Sequence, residues 1–107
     1  MADGGVEEAV AAASLPRVVC MEADIVRHEG YGMRTSLEDF VRYKILSAAI
    51  SRPLVVPTQR ALRPEEVCLL AEVGAGSLMI GAIVTGMTVE GVAKATRAFR
   101  TAIDQLP

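Results

Sequence analysis

The sequence of 107 residues has no tryptophan, and only 4% of its residues are aromatic, whereas 51% are hydrophobic. Its core must therefore be built mainly from alanine, valine, leucine, isoleucine and methionine. This composition is typical of helices packed on buried parallel strands. At this length we expect one domain that buries roughly two thirds of the surface of the unfolded chain.

The sequence also lacks an excess of charge of either sign. It has 11 lysines and arginines, 13 aspartates and glutamates, and a formal net charge of −2. The interspersed charges form no basic stripe for a nucleic-acid backbone and no cationic face for an anionic membrane. The acidic N-terminus is unlike a secretory signal, and no apolar run approaches the ~20 residues needed to cross a bilayer. We expect a cytoplasmic protein with neither nucleic acid nor membrane as a partner.

Metal-ligating residues are scarce. His28 is the single histidine, and Cys20 and Cys68 lack the paired spacing of a zinc site. Both cysteines fall within apolar segments, so we expect reduced thiols buried in the core. The sequence identifies no cofactor.

Hydrophobic periodicity predicts a short N-terminal helix, capped by Asp3, and a first strand within residues 17–26. A loop over residues 27–35 then leads to an amphipathic helix, because Thr35 and Glu38 have capping-box spacing. We expect this helix to bury one set of side chains and expose another. The buried set is Leu37, Phe40, Val41, Ile45 and Ala48, and the exposed set is Glu38, Asp39, Arg42 and Lys44.

Two more strand–helix units follow. Residues 53–57 form a short apolar run bounded by prolines, Pro64 and Gly74 mark the ends of a helix, and residues 77–81 form a third apolar run. Thr88 begins the last helix, whose apolar face carries Val92, Thr96, Phe99, Ile103 and Leu106. The alternation predicts an α/β domain with a three-stranded parallel sheet. Its exposed strand edges predict a homo-oligomer or a partner chain that completes the sheet.

The run 62–86, LRPEEVCLLAEVGAGSLMIGAIVTG, resembles the seventh helix and eighth strand of phosphate-binding (β/α)8 barrels, such as indole-glycerol-phosphate synthase and the phosphoribosyl isomerases of histidine and tryptophan synthesis. Pro-Glu-Glu-Val at 64–67, Gly-Ala at 74–75 and Gly-Ala-Ile-Val at 81–84 carry the resemblance, which extends roughly over residues 53–106. It implies that the three strands are the last three of a TIM barrel. Pro-Thr-Gln-Arg at 57–60 departs from the Gly-Gly or Ser-Gly that these families often have there.

The strand ends supply candidate anion ligands. Gly81 and Ala82 lie where a strand passes into a helical turn, so their N–H groups could bind a phosphate. Thr58, Gln59 and Arg60 follow the second strand, and Arg60 could clamp a phosphate or carboxylate. Alternatively, Gly81 only relieves crowding between strand and helix, and Arg60 is a solvated charge.

Three residues are candidates for catalysis. Glu22 and Asp24 alternate along the first strand and should share a face near its carboxyl end, where they could act as a general base or hold a divalent cation. His28, on the following loop, titrates near neutrality and suits proton transfer. The alternatives are that a carboxylate caps the loop and that His28 is an ordinary surface residue.

Two functions are consistent with these patterns. The first is a barrel-derived domain that binds a small phosphorylated or carboxylated metabolite at the carboxyl ends of its strands, as a lyase or isomerase. The second is a non-catalytic structural module that oligomerises through its exposed strand edges.

Overall fold

The computed structural model describes residues 5–107 and is a mixed α/β structure. Its elements are α1 (Val6–Ala13), β1 (Met21–Glu22), α2 (Leu37–Ala49), β2 (Leu54–Pro57), α3 (Val67–Glu72), β3 (Ser77–Met79), α4 (Ala82–Thr85) and α5 (Val89–Asp104), with 3₁₀ turns at His28–Gly30 and Pro64–Glu66. Asp3, the predicted cap of the first helix, lies outside the described residues. None of the helices within residues 5–107 has both the length and the apolar character that crossing a bilayer requires.

The three strands form one parallel sheet in the order β1-β2-β3, which confirms the predicted sheet. β1 is much shorter than the predicted run of residues 17–26. The reason is that β2 is itself only four residues long and ends at Pro57, which has no N–H to donate. The pairing of β1 with β2 is therefore limited to Met21 with Leu54 and Glu22 with Val55.

Helices cover one face of this sheet. Leu54 and Val56 point into the hydrophobic core, which also includes residues from α1, α2, α3 and α5. On the opposite face, Glu22, Ser77 and Met79 are exposed. The sheet therefore has one buried face and one open face.

The C-terminus of α3 has the predicted glycine stop. Gly74 has a φ of +96°, its N–H donates to the Ala71 carbonyl, and the Ala75 N–H donates to the Leu70 carbonyl. These two hydrogen bonds are those of a Schellman motif. They turn the chain directly into β3.

The capping box of α2 lies one residue later than predicted. Ser36, rather than Thr35, is the N-cap residue: its hydroxyl accepts from the Asp39 N–H at 3.2 Å, and the Asp39 carboxylate accepts from the Ser36 N–H at 2.9 Å. Asp39 replaces Glu38 as the reciprocal partner, and its side chain is consequently turned inward.

The predicted buried face of α2 is confirmed at Phe40 and wrong at its other four residues. The helix buries Asp39, Phe40, Tyr43 and Leu46, while Leu37, Val41, Ile45 and Ala48 are exposed. The helix carries two apolar stripes, and the stripe that includes both aromatic residues packs on the sheet. Periodicity alone favoured the other stripe because Asp39 appears, from its charge, to belong in solvent.

Both cysteines are exposed, so their predicted burial is wrong as well. Cys20 immediately precedes the two-residue edge strand β1, where no helix covers it, and Cys68 is on the outer side of α3 between the buried Val67 and Leu70.

In α5 the predicted start at Thr88 is confirmed, since its hydroxyl accepts from the Gly91 N–H at 3.0 Å. Phe99 is buried as expected, and Ile103 and Leu106 are partly buried. Val92 and Thr96, placed on the same face by the sequence, are exposed, and Ala95 and Ala102 pack against the core instead.

Candidate functional site

The carboxyl ends of β2 and β3 are joined by Thr58. Its N–H donates to the Met79 carbonyl at 3.0 Å, and its hydroxyl accepts from the Gly81 N–H at 2.9 Å. Thr58 is buried. The Gly81 N–H, which the sequence offered to an anion, is thus already bonded within the chain, and Ala82 begins the four-residue helix α4 beside it.

Gln59 connects the end of β2 to the end of β1. Its side-chain amide donates to the Asp24 carboxylate and, at 3.2 Å, to the Tyr31 hydroxyl, while its backbone carbonyl accepts from the Gly32 N–H at 2.8 Å. Gln59 is only 7% exposed, and its Oε1 has no hydrogen-bond partner among residues 5–107. Asp24 and Gln59 therefore lie together at the carboxyl edge of the sheet.

Arg60 points away from that cluster and into the protein. Its Nε lies 3.0 Å from Asp39 Oδ2, its Nη2 lies 3.2 Å from Asp39 Oδ1, and its Nη1 donates to the Gly30 carbonyl at 3.0 Å. The guanidinium is thereby neutralised by a buried carboxylate. A bound anion would have to compete with this two-point ion pair for Arg60.

The other proposed catalytic groups lie apart from one another. Glu22 is on the open face of the sheet. His28 is exposed in the first 3₁₀ turn, and its ring centroid lies 5.3 Å from that of Tyr31, whose hydroxyl accepts from the Gln59 side-chain amide. Within the part of the chain that the structure describes, no three His, Cys, Asp or Glu side chains are grouped so that they could hold a metal ion.

A groove with a volume of about 510 Å³ lies on the carboxyl-terminal side of the sheet, between the segment 61–64, α4 and α5. Three cationic side chains line it, those of Arg34, Arg63 and Lys94. Apolar groups form most of the remaining wall, among them Leu62, Ile83, Val84, Ala95 and Phe99.

The three cations of the groove are only partly balanced. Arg34 Nη1 lies 3.3 Å from Glu66 Oε1 and also donates to the Ala61 carbonyl at 3.1 Å. The side chains of Arg63 and Lys94 have no hydrogen-bond or ion-pair partner within residues 5–107. The groove therefore has an excess of positive charge, which raises the local concentration of anions.

Two local features build the walls of this groove. The first is the connection after β1: the Ala61 N–H donates to the Met33 carbonyl at 2.7 Å, which places Arg34 at the rim. The second is Gly91, where an added Cβ would lie 2.3 Å from the Thr85 carbonyl oxygen. Only glycine allows α5 to approach α4 so closely.

The sequence-based hypothesis did not identify this set of cations. Arg34 and Arg63 stand on segments that follow β1 and β2, and parallel strands bring such segments to the same side of a sheet. That topology could have identified Arg34 and Arg63 as neighbours at one end of the sheet. Lys94 lies on the last helix, and only the packing of α5 brings it to the groove.

Comparisons of this chain with protein-family profiles, with curated proteins and with solved structures give no significant match.

Proposed function

We propose that this chain binds a small metabolite carrying a phosphate or carboxylate group, in the groove between the segment 61–64, α4 and α5. The observation that carries the proposal is that Arg34, Arg63 and Lys94 line one groove, and that among residues 5–107 only Arg34 of these three is paired with a carboxylate. Arg63 and Lys94 are then the groups that an anion would engage first.

The chemistry of the groove suits such a ligand. A guanidinium binds a phosphate or carboxylate through paired hydrogen bonds, and an ammonium adds a point charge. The apolar wall of Ile83, Val84 and Phe99 would accept the carbon skeleton of the metabolite. Its volume of about 510 Å³ lies in the range of small-molecule sites.

The position of the groove agrees with the resemblance to the last three units of a phosphate-binding TIM barrel, which is part of the proposal. In parallel βα structures, ligands bind beyond the carboxyl ends of the strands. Segment 61–64 follows β2, and α4 follows β3, so both walls come from that side. The anion is proposed to sit beside α4, and Arg60 keeps its bond to Asp39.

For a lyase or isomerase reaction, we assign proton transfer to Asp24, which does not itself line the groove, so the bound metabolite must extend from the groove to the carboxyl end of β1. The Asp24 carboxylate is held by the Gln59 amide, which also donates to the Tyr31 hydroxyl, and the His28 ring lies beside the Tyr31 ring. Glu22 is on the open face of the sheet and is left out. Asp24→Asn is expected to abolish turnover of a metabolite that the groove binds, while leaving its binding intact.

The binding proposal is tested with inorganic phosphate, titrated into the ¹⁵N-labelled protein and followed by its amide resonances. We expect the amide resonances of residues 61–63 and 83–85 to shift in a saturable way, and the affinity to fall as salt is added. The double substitution Arg63→Ala, Lys94→Ala should weaken binding at least about tenfold, since it removes two charged donors.

Arg52→Ala is the matched control, because Arg52 is an exposed cation that precedes β2 at the opposite, amino-terminal edge of the sheet. It should leave phosphate binding unchanged. Equal losses of affinity in Arg52→Ala and in the double variant would mean that phosphate senses only overall charge, and the groove would be rejected as its site.

A second candidate function is a structural module that assembles through its sheet. It is favoured by the open face, where Glu22, Ser77 and Met79 are exposed, and by the free edges of β1 and β3. The two functions differ in one readout. A domain that only assembles has a defined oligomeric mass that phosphate does not affect, and its groove resonances do not shift.

A further inference from the structure

The outward side of α2 is an apolar stripe that is about half exposed or more in the part of the chain that the structure describes. Leu37 is 80% exposed, Val41 50% and Ile45 49%. Their spacing of four residues, continued by the exposed Ala48 after three more, puts them on one side of the helix. The stripe runs for about three turns, or roughly 17 Å.

This stripe lies opposite the buried side of the same helix. At 100° per residue, Phe40, Tyr43 and Leu46 point to the core, and Val41 points almost directly away from them. A surface helix of a globular protein normally has charged residues there. The helix thus has two apolar sides, and only one of them is used within the described chain.

We propose that the stripe of Leu37, Val41, Ile45 and Ala48 is a self-association surface, on which a second copy of this chain packs its own α2 in antiparallel orientation. A two-fold axis next to Val41 would place the two Val41 side chains together. Leu37 would then face Ile45 of the partner subunit, and the same contact would repeat at the other end.

The charges beside the stripe fit this arrangement. Glu38 and Arg42 flank it on one side and form an i,i+4 ion pair at 2.7 Å. In the antiparallel pair, Arg42 comes within about one turn of Glu38 of the partner subunit, and the reverse contact is equivalent. Each arginine therefore gains a second carboxylate. On the other flank, the two Lys44 side chains are about 9 Å apart along the helix axes, so their repulsion is weak.

The size of the stripe sets the expected affinity. A contact made mainly by one three-turn helix buries less than the ~1,200 Å² of a standard interface. We therefore expect a reversible dimer with a dissociation constant on the order of tens of micromolar. The four residues of the stripe neither line the groove of Arg34, Arg63 and Lys94 nor belong to the strands of the sheet.

The first experiment is sedimentation equilibrium over a range of protein concentrations spanning that value. The average mass of the unchanged protein should rise from monomer towards dimer, and Val41→Lys should weaken association at least about 100-fold, because it buries two charges at the axis. Ala49→Lys, an exposed position on the flank of the same helix, should associate like the unchanged protein. A monomer at every concentration overturns the proposal, as does association of Val41→Lys with unchanged affinity, which would assign the contact to another surface.

The second experiment tests the orientation by disulfide formation in a background of Cys20→Ser and Cys68→Ser. Val41→Cys should form a covalent dimer on mild oxidation, and a mixture of Leu37→Cys with Ile45→Cys should yield the mixed dimer in excess. Preferential joining of Leu37→Cys to itself would indicate parallel helices and would overturn the antiparallel arrangement. Circular dichroism of each variant confirms that α2 is intact.

Discussion

The side chains of Arg60 and Asp39 form a two-point ion pair, which connects the segment that follows β2 to the first turn of α2. The Nε–Oδ2 distance is 3.0 Å and the Nη2–Oδ1 distance is 3.2 Å, and Asp39 is only 2% exposed. A buried carboxylate that loses its cation destabilises a protein by about 3–5 kcal/mol. Arg60→Ala is therefore expected to lower the free energy of unfolding by about 3 kcal/mol, measured by urea denaturation.

Arg34→Ala is the control for this prediction, because the Arg34 side chain is half exposed and its ion pair with Glu66 should contribute only about 1 kcal/mol. If Arg60→Ala unfolded at the same urea concentration as the unchanged protein but bound phosphate more weakly, Arg60 would be the anion clamp that the sequence suggested, and its pairing with Asp39 would be dispensable.

Gly74 and Gly86 allow backbone strain to be separated from side-chain crowding. Both have positive φ, +96° and +69°, but a Cβ at Gly74 would lie 2.6 Å from Ser47 Oγ, whereas nothing lies within 4 Å of one at Gly86. With a ψ of −167°, Gly86 is in a backbone region almost confined to glycine, so we expect Gly86→Ala to cost about 3 kcal/mol from strain alone. We expect Gly74→Ala to cost about 2–3 kcal/mol from strain and crowding together. Thermal unfolding of the two variants measures these losses, and a loss of only about 1 kcal/mol in Gly74→Ala would show that Ser47 moves aside freely.

Tyr43 makes the stability of the protein sensitive to alkaline pH. The pKa of Tyr43 is raised from 10.0 to about 12, mainly by burial and also by the Asp39 carboxylate, while the Arg60 guanidinium acts to lower it. Because the pKa is higher in the folded state, the stabilisation is complete below pH 10 and is lost as pH rises towards 12. Unfolding free energies should fall by up to about 2 kcal/mol across that window.

Tyr43→Phe should remove this component of the pH dependence, and absorbance of the tyrosinate band should show a titration near pH 12 that the variant lacks. A pH dependence that is the same in Tyr43→Phe and the unchanged protein would assign the alkaline loss to other groups.

The exposure of both cysteines predicts their reactivity. Cys20 and Cys68 are accessible in the folded protein, so both should react with Ellman's reagent without denaturant, giving two thiols per chain. Cys20→Ser and Cys68→Ser should each reduce that number to one. Thiols that react only after unfolding would instead support the burial predicted from the sequence.

The order of the elements was predictable because local signals encode it. Prolines mark both ends of the β2 run, Gly74 forms the C-terminal turn of α3, and Thr88 caps α5. Each of these residues determines the backbone conformation only of its near neighbours in the sequence. The alternation of apolar runs and helices was sufficient to predict the parallel sheet.

The orientation of α2 was not predictable in the same way. Leu37, Val41 and Ile45 satisfy helical periodicity as well as Phe40, Tyr43 and Leu46 do, and the choice depends on which stripe fits the sheet. The burial of Asp39 depends on Arg60, 21 positions away. Contacts between distant residues cannot be read from local patterns. Arg60 was therefore predicted to bind a ligand, and Lys94 was not identified.

The segment from Gly32 to Arg34 lies between the groove and the start of α2. Its backbone is bonded to Gln59 and Ala61, its Arg34 lies at the rim of the groove, and the cap of α2 begins two residues later at Ser36. If an anion binds in the groove and α2 self-associates, as proposed, this segment would connect the two sites. If an anion in the groove changes the equilibrium constant for self-association through α2 by some factor, self-association must change the affinity for that anion by the same factor.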